Sequence, residues 1–150
     1  MCGIIGFTGN LQAPGILVDG LQQLEYRGYD SAGIAVNNGS ETQIVKTTGK
    51  VATTAGLEGT CGIGHTRWAT HGGVTEVNAH PHVSGNVTLI HNGIIENYKE
   101  LAASLKTKGY TAISETDTEV AAMLIDSLYD GDPFAALKEA DQMLEGAYGF

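Results

Sequence analysis

The sequence contains little cysteine, few basic residues and no long apolar run. Two cysteines in 150 residues cannot form a disulfide framework, and this favours a reducing cytoplasm. Eight basic against 17 acidic residues give a net charge of −9, which argues against nucleic-acid binding. The first residues lack the basic segment of a signal peptide, and no stretch nears the roughly 20 apolar residues of a membrane span. We therefore expect a soluble, cytoplasmic protein without nucleic-acid or membrane partners.

Glycine, in contrast, is abundant. There are 21 glycines, while hydrophobic residues make up 42% and charged residues 17% of the chain, as in a folded globular domain. Such a glycine content predicts tight turns and sites where the backbone closely approaches another group.

Strand patterns dominate the first two thirds of the chain. A short apolar strand is expected over 3–7, and a helix over 16–26 that ends at Gly28. The NNGS stretch between 31–36 and 43–47 predicts a hairpin. Residues 61–68 and 86–93 are typical of buried strands that carry polar residues at their C-terminal ends.

Helix patterns follow. An amphipathic helix is expected over 97–108, a short strand over 110–114, and a second helix that opens with the capping pair Thr116 and Glu119. A third helix has Pro133 in its first turn, and 146–150 resembles the start of a strand. Strands first and helices after predict an α+β domain.

Five histidines fall within one 27-residue window, and two interpretations are open. Clustered imidazoles can bind a metal ion, which would suit a metal-dependent hydrolase. However, the spacing matches no helical ligand pair, and Cys61 has no cysteine partner nearby. Histidines that form hydrogen bonds in an irregular loop are the simpler interpretation, so no metal and no cofactor are expected. The five are His65, His71, His80, His82 and His91.

Several polar residues have both a structural and a functional interpretation. Arg67 and Trp68 could be a packing pair, or a carboxylate clamp with an indole lid. Asn92 and Gly93 could form a turn, or an oxyanion hole with two converging donors. Asp117 could belong to a helix cap, or could bind a substrate ammonium group.

Cys2 is unusual because of its position. If Met1 is removed, Cys2 gains a free α-amine, whose ordinary pKa of about 7.7–8.0 lets it act as a base. One residue would then supply both nucleophile and base, as in N-terminal-nucleophile hydrolases. A buried structural cysteine is the alternative.

Six strings, taken together, resemble one family. MCGIIG, LEYRGYDSAG (24–33), HTRWATHG (65–72), NAHPH (78–82), HNGIIENY (91–98) and SETDTEV (114–120) are similar to the glutaminase domain of glucosamine-6-phosphate synthases. These are class II amidotransferases, and the resemblance extends along the whole chain. It implies an N-terminal-nucleophile fold, a four-layer α/β/β/α sandwich, incomplete at its C-terminal side.

The resemblance also implies roles for individual residues. Cys2 would attack the amide of L-glutamine and form a γ-glutamyl thioester, which water converts to glutamate. Arg67 would bind the α-carboxylate and Asp117 the α-ammonium group. Asn92 and Gly93 would form the oxyanion hole. A closing loop would include Trp68, Thr70 and His71, and Arg27 would help position the nucleophile.

We expect 1–150 to be the N-terminal part of this domain, without the remainder of the domain or the isomerase domain that would use the ammonia. An inactive chain that serves only as a folding or binding module is the alternative function. Retention of Met1 would remove the base from Cys2 and predicts a nearly inert protein.

Overall fold

The computed structural model describes residues 2–50, 56–70 and 72–150. The chain divides into two compact units, residues 1–81 and 82–150. The strands are β1 (Gly3–Thr8), β2 (Ser31–Asn37), β3 (Thr42–Thr48), β4 (Cys61–Arg67), β5 (His82–Ser84), β6 (Val87–Leu89), β7 (Asn92–Ile95) and β8 (Gly146–Gly149). The helices are α1 (Ala13–Gln23), α2 (Tyr98–Thr107), α3 (Asp117–Leu128) and α4 (Pro133–Asp141), with a 3₁₀ turn at Glu25–Arg27.

The first unit is a four-stranded antiparallel sheet in the order β1-β4-β2-β3, with α1 packed against it. Ala13, Leu17 and Leu21 recur every four residues along α1, and all three are buried. They pack with Ile34 and Val36 of β2. This apolar layer supports the sheet whose strand ends carry the candidate residues.

The second unit combines three helices with two antiparallel strand pairs, β5-β6 and β7-β8. Helix α3 is central, because it packs against α2, α4 and the strands β5 and β6. Every residue of α3 from Asp117 to Ile125 is buried. A helix that is buried on all sides in this way is the core element of its unit.

Most of the expected elements are confirmed. The strand at 3–7, the hairpin over NNGS, the strand at 61–68, all three later helices and the strand beginning at Gly146 are present. Helix α1 begins three residues earlier than expected, because Pro14 fits the first turn, and it ends before the 3₁₀ turn. Positive φ angles in the described part of the chain occur only at glycines.

Two strand predictions were wrong. The expected strand at 86–93 is divided at 90–91, so that β6 pairs with β5 and β7 pairs with β8. Residues 110–114 form no strand, because the Glu119 carboxylate accepts hydrogen bonds from the backbone N–H groups of Ile113 (3.0 Å) and Ser114 (2.6 Å). These donors are therefore engaged by the following helix instead of a neighbouring strand.

Of the two hydrogen bonds that a capping pair can form at the start of α3, the one accepted by the Thr116 side chain is confirmed. The Thr116 hydroxyl accepts from the Glu119 N–H at 3.3 Å. The Glu119 carboxylate turns to the preceding loop, where it binds the two N–H groups named above. Among the residues that the structure describes, no helix has the length and hydropathy needed to cross a bilayer.

Candidate active site

Cys2 lies directly before β1, at the edge of the first unit. The β1–β4 register places Gly3 opposite Thr66, so Cys2 lies beside the C-terminal end of β4. Its sulfur accepts a hydrogen bond from the Trp68 N–H at 3.3 Å and lies 3.7 Å from the Trp68 carbonyl oxygen. The thiol is partly exposed, and neither it nor Cys61, both within the described residues, is in a disulfide. A thiol of this kind is oriented by the backbone and remains accessible to a small reactant.

The turn that follows β4 is held by Asp30, a residue that sequence reasoning missed. Its carboxylate accepts from the Ala69 N–H at 2.7 Å, and its backbone N–H donates to the Arg67 carbonyl at 2.8 Å. These two bonds flank Trp68, whose N–H contacts the Cys2 sulfur. Asp30 belongs to the quoted YRGYDSAG string, which was the only sequence signal for it.

Arg67 is the last residue of β4 and is buried. Its guanidinium group donates to the carbonyl oxygens of Gly73 (3.0 Å) and Gly72 (3.4 Å). The Asn78 side-chain amide donates to the same Gly73 oxygen at 3.0 Å. The loop after β4 therefore folds back onto the guanidinium, which is a planar, permanently charged group suited to binding carboxylates.

Three other residues expected near the nucleophile are on the surface. Trp68 is 52% exposed, and its ring lies near Gly28, where an added Cβ atom would be 3.4 Å from it. Thr70 is exposed. Arg27 is exposed in the 3₁₀ turn, and His71 lies outside the described residues.

The segment around Arg27 carries the clearest pKa shifts of the first unit. The Tyr29 hydroxyl donates to Glu25 at 2.8 Å, and Lys50 forms an ion pair with the same carboxylate at 2.6 Å. Burial, and then the bond to Glu25, raises the pKa of Tyr29 to about 12. The hydrogen bond from Lys50 lowers the pKa of Glu25. These contacts tie the 3₁₀ turn to the residues after β3.

Asn92 and Gly93 begin β7, instead of ending a strand as predicted. Gly93 has φ +141° and pairs with Tyr148 of β8. A Cβ atom at this position would overlap the Ala147 carbonyl oxygen and lie 2.5 Å from the Tyr148 Cα atom. The strand pairing therefore requires glycine here, whatever further role its N–H group has.

Asp117, the first residue of α3, is 5% exposed. One carboxylate oxygen accepts from the Ile95 N–H of β7 at 2.9 Å, and the other is 4.0 Å from His91 Nδ1. The same His91 nitrogen lies 2.8 Å from the Thr118 hydroxyl. The carboxylate is favourably placed at a helix N-terminus and links α3 to the strand that carries Asn92 and Gly93.

The four histidines that the structure describes contact different groups. His65 and His80 form a buried pair, with nitrogen–nitrogen distances of 2.9 and 3.0 Å. His82 Nε2 lies 3.0 Å from the Thr116 hydroxyl, and His91 contacts Thr118. Within the described ranges, no three His, Cys, Asp or Glu side chains are grouped so that they could hold a metal ion.

The predicted residues thus form two local sets. Cys2, Arg67 and Trp68 lie around the end of β4 in the first unit. Asn92, Gly93 and Asp117 lie around β7 in the second unit, where Asp117 bonds to that strand.

Comparison with known proteins identifies the family to which these sets belong. The sequence profile of the glutamine amidotransferase domain matches residues 65–150. The chain belongs to the glutamine amidotransferase family.

Two curated relatives of this amidotransferase chain carry the same name. The glutamine–fructose-6-phosphate aminotransferases (isomerizing) of Thermus thermophilus and Symbiobacterium thermophilum are 52% and 53% identical to it over 156 aligned residues. The match covers 99% of this chain and 26% of each relative, so the chain spans about a quarter of their length.

A solved structure supports the fold assignment. The glutamine phosphoribosylpyrophosphate amidotransferase from B. subtilis, complexed with ADP and GMP, superposes with a TM-score of 0.83 at 31% identity. The match covers 99% of this chain and 34% of that one. The predicted α+β, N-terminal-nucleophile amidotransferase fold is confirmed.

Proposed function

We propose that this chain is the N-terminal part of a glutaminase domain that hydrolyses L-glutamine, with Cys2 as the nucleophile. The observation that carries the proposal is the Cys2 sulfur, held by the Trp68 N–H beside the buried Arg67 in a chain of the glutamine amidotransferase family. The backbone N–H orients the sulfur, which reacts as a nucleophile once its proton has been removed.

The reaction begins when removal of Met1 makes the α-amine of Cys2 available as a base. The amine takes the thiol proton, the sulfur attacks the side-chain amide carbon of glutamine, and the carbonyl oxygen becomes an oxyanion. The Asn92 amide and the Gly93 N–H are assigned to stabilise this oxyanion. Collapse of the tetrahedral intermediate breaks the carbon–nitrogen bond, and the nitrogen leaves as ammonia with the proton that the amine returns.

Water then attacks the γ-glutamyl thioester. The carbon–sulfur bond breaks, glutamate leaves and the sulfur regains its proton. In this scheme the Arg67 guanidinium binds the α-carboxylate of glutamine and Asp117 binds the α-ammonium group. Trp68, Thr70 and His71 are assigned to a loop that closes over the substrate, and Arg27 to positioning of the nucleophile.

The names of the relatives suggest where the ammonia is used. They are aminotransferases that act with glutamine and fructose 6-phosphate, and they are about four times as long as this chain. We assign to this chain the role of an ammonia source for glucosamine 6-phosphate synthesis by an isomerase domain, and a cytoplasmic location.

The decisive experiment is the intact mass of the purified protein before and after 6-diazo-5-oxo-norleucine, a glutamine-like alkylating agent. The first mass establishes whether Met1 has been removed. We expect one adduct, mapped to Cys2, in the wild type and in the matched control Cys61→Ala, and none in Cys2→Ala. Glutamate formation from glutamine should follow the same pattern.

No adduct on a protein whose Met1 is absent would contradict the proposal. That result would favour the alternative that the chain is an inactive folding or binding module. Alkylation of Cys61 at the same rate as Cys2 would also contradict it, because a site that recognises glutamine must discriminate between the two thiols.

A further inference from the structure

Three residues form a row across the first sheet. The strand registers place Gly33 of β2 opposite both His65 of β4 and Lys46 of β3. Side chains that are directly opposite in adjacent antiparallel strands point to the same face of a sheet. The glycine therefore leaves a gap between a histidine and a lysine.

The segment 78–81 fills this gap. All four of its residues are buried, and a Cβ atom on Gly33 would overlap the His80 carbonyl oxygen. On one side, Lys46 Nζ donates to the carbonyls of Val77 (3.3 Å) and Pro81 (3.2 Å). On the other side, His80 Nδ1 lies 2.9 Å from the nearer ring nitrogen of His65. The segment is fixed to the sheet on both sides of the gap.

This segment also contacts Gly73, whose carbonyl oxygen binds the Arg67 guanidinium. The Asn78 side chain and the Arg67 guanidinium donate to the same Gly73 oxygen, each at 3.0 Å. The Asn78 N–H donates to the Thr75 hydroxyl at 3.2 Å, and the Ala79 N–H donates to the Thr75 carbonyl at 3.0 Å. The carbonyl that orients the guanidinium is therefore connected through Asn78 to the part of the chain that Lys46 binds.

We infer that Lys46 is a positioning residue for Arg67 and acts through the segment 78–81. The inference rests on the proposed function, in which Arg67 binds the α-carboxylate of glutamine. Loss of the two Lys46 hydrogen bonds releases the segment, and the guanidinium loses its fixed orientation. Recognition of an amino-acid substrate weakens, whereas the Cys2 thiol, held by a different backbone group, keeps its intrinsic reactivity.

Two alkylating agents separate these effects. 6-Diazo-5-oxo-norleucine has the α-carboxylate and α-ammonium group of glutamine, and it loses N₂ as it forms a thioether. Iodoacetamide has neither charged group, so its rate at Cys2 reports thiol reactivity alone. The ratio of the two rates at Cys2, measured by peptide mass spectrometry, therefore reports recognition of the amino-acid part.

We expect Lys46→Met to lower this ratio about tenfold, since a misplacement of about 1 Å in a positioning group can cost up to about a hundredfold. Lys46→Arg keeps a donor of the same charge and should restore most of the ratio. The charge-matched control Lys106→Met, at an exposed position on α2, should leave the ratio unchanged. If Lys46→Met does not fold, as judged by circular dichroism, Lys46→Leu, which also lacks a donor, provides the same test.

The outcomes distinguish the inference from the function on which it rests. Failure of a wild type whose Met1 is absent to react with the diazo compound at Cys2 would refute the proposed function. A wild type that reacts, together with an unchanged ratio in Lys46→Met, would refute the positioning role alone. A parallel fall in both rates would also refute it, because it would indicate general damage to the unit and no specific effect on Arg67.

Discussion

Gly93 offers a test that separates a structural from a catalytic role. Its φ of +141° lies in a region that residues other than glycine rarely adopt, and placing another residue there costs about 1–3 kcal/mol. An alanine Cβ atom would also lie 2.5 Å from the Tyr148 Cα atom, whereas ordinary contact begins at 3.4 Å. Strand β8 must therefore move by about 1 Å to accept the substitution Gly93→Ala.

The same sheet contains two matched controls. Gly146 has φ +130°, and a Cβ atom there would overlap the Ile94 carbonyl oxygen, so Gly146→Ala should strain the β7–β8 pair to a similar degree. Gly149 pairs with Asn92, and a Cβ atom there meets nothing within 4 Å. Gly149→Ala should therefore leave the pair intact.

Catalysis should distinguish the two strained variants. Loss of one oxyanion-hole donor costs about 10²–10³ in kcat. Gly93→Ala displaces the N–H group assigned to the oxyanion, whereas Gly146→Ala strains the pair two residues away from it. We expect similar losses in the free energy of unfolding for both variants, but a loss in kcat at least about tenfold larger for Gly93→Ala.

Urea unfolding gives the stabilities, and glutamate release from glutamine gives kcat. Equal losses of kcat in Gly93→Ala and Gly146→Ala, at equal stability, would refute the reasoning. That result would mean that Gly93 contributes only through the strand pairing. Wild-type kcat in Gly93→Ala would remove its N–H from the proposed oxyanion hole.

Four further predictions concern other parts of the chain. The pKa of Tyr29 is raised to about 12, so the contribution of its protonated hydroxyl to the free energy of unfolding should be complete below pH 10 and lost as the pH rises through 12. In an alkaline absorbance titration, Tyr29→Phe should remove one tyrosine ionisation near pH 12. Asp132→Ala removes the N-cap of α4 and should cost about 1 kcal/mol in urea unfolding. Asp117→Asn keeps an acceptor for the Ile95 N–H but loses the negative charge. The diazo compound should therefore react with Cys2 at least about tenfold more slowly, with little change in the free energy of unfolding. An unchanged rate would contradict the ammonium-binding role. A residue inserted before Cys2 that blocks its α-amine should abolish glutamate release; normal turnover, with the insertion confirmed by mass, would rule out the amine as the base.

Local signals predicted the parts of the fold that depend on neighbouring residues. The hairpin between β2 and β3 follows from a turn in which the Asn38 side chain accepts from the N–H groups of Ser40 and Glu41. The start of α3 follows from Thr116, whose hydroxyl lies three residues before its donor. Both features are encoded within four residues of sequence.

Distant contacts explain the errors. The strand expected at 86–93 is divided because its second part pairs with residues 146–149, more than 50 positions later, and no local pattern specifies that partner. A strand was expected at 110–114 from a short run that contains apolar residues. It is absent because Glu119 from the following helix binds its backbone donors.

The same distinction applies to the site. Cys2 could be proposed from its position behind Met1, because the proposed chemistry uses the α-amine of the same residue. Asp30 could not, because its function in holding the turn depends on Ala69, which is 39 residues away. Lys46 gave no sequence signal either, because its hydrogen-bond acceptors, the carbonyls of Val77 and Pro81, lie 31 and 35 residues further on.

The structural and functional interpretations of the site residues therefore do not exclude each other. Arg67 orders the loop after β4, Asp117 binds β7, and Gly93 permits the β7–β8 pairing, so each has a structural role before any substrate is considered. Groups held in this way cannot rearrange freely when a substrate binds, and preorganised donors and charges are what catalysis requires. With the proposed roles, a single alanine substitution at any of these positions is expected to disturb folding and chemistry together. The catalytic part can be assigned by variants that keep the structural contact while removing the charge or the donor, as at Asp117, or by a control that carries the same strain, as at Gly146.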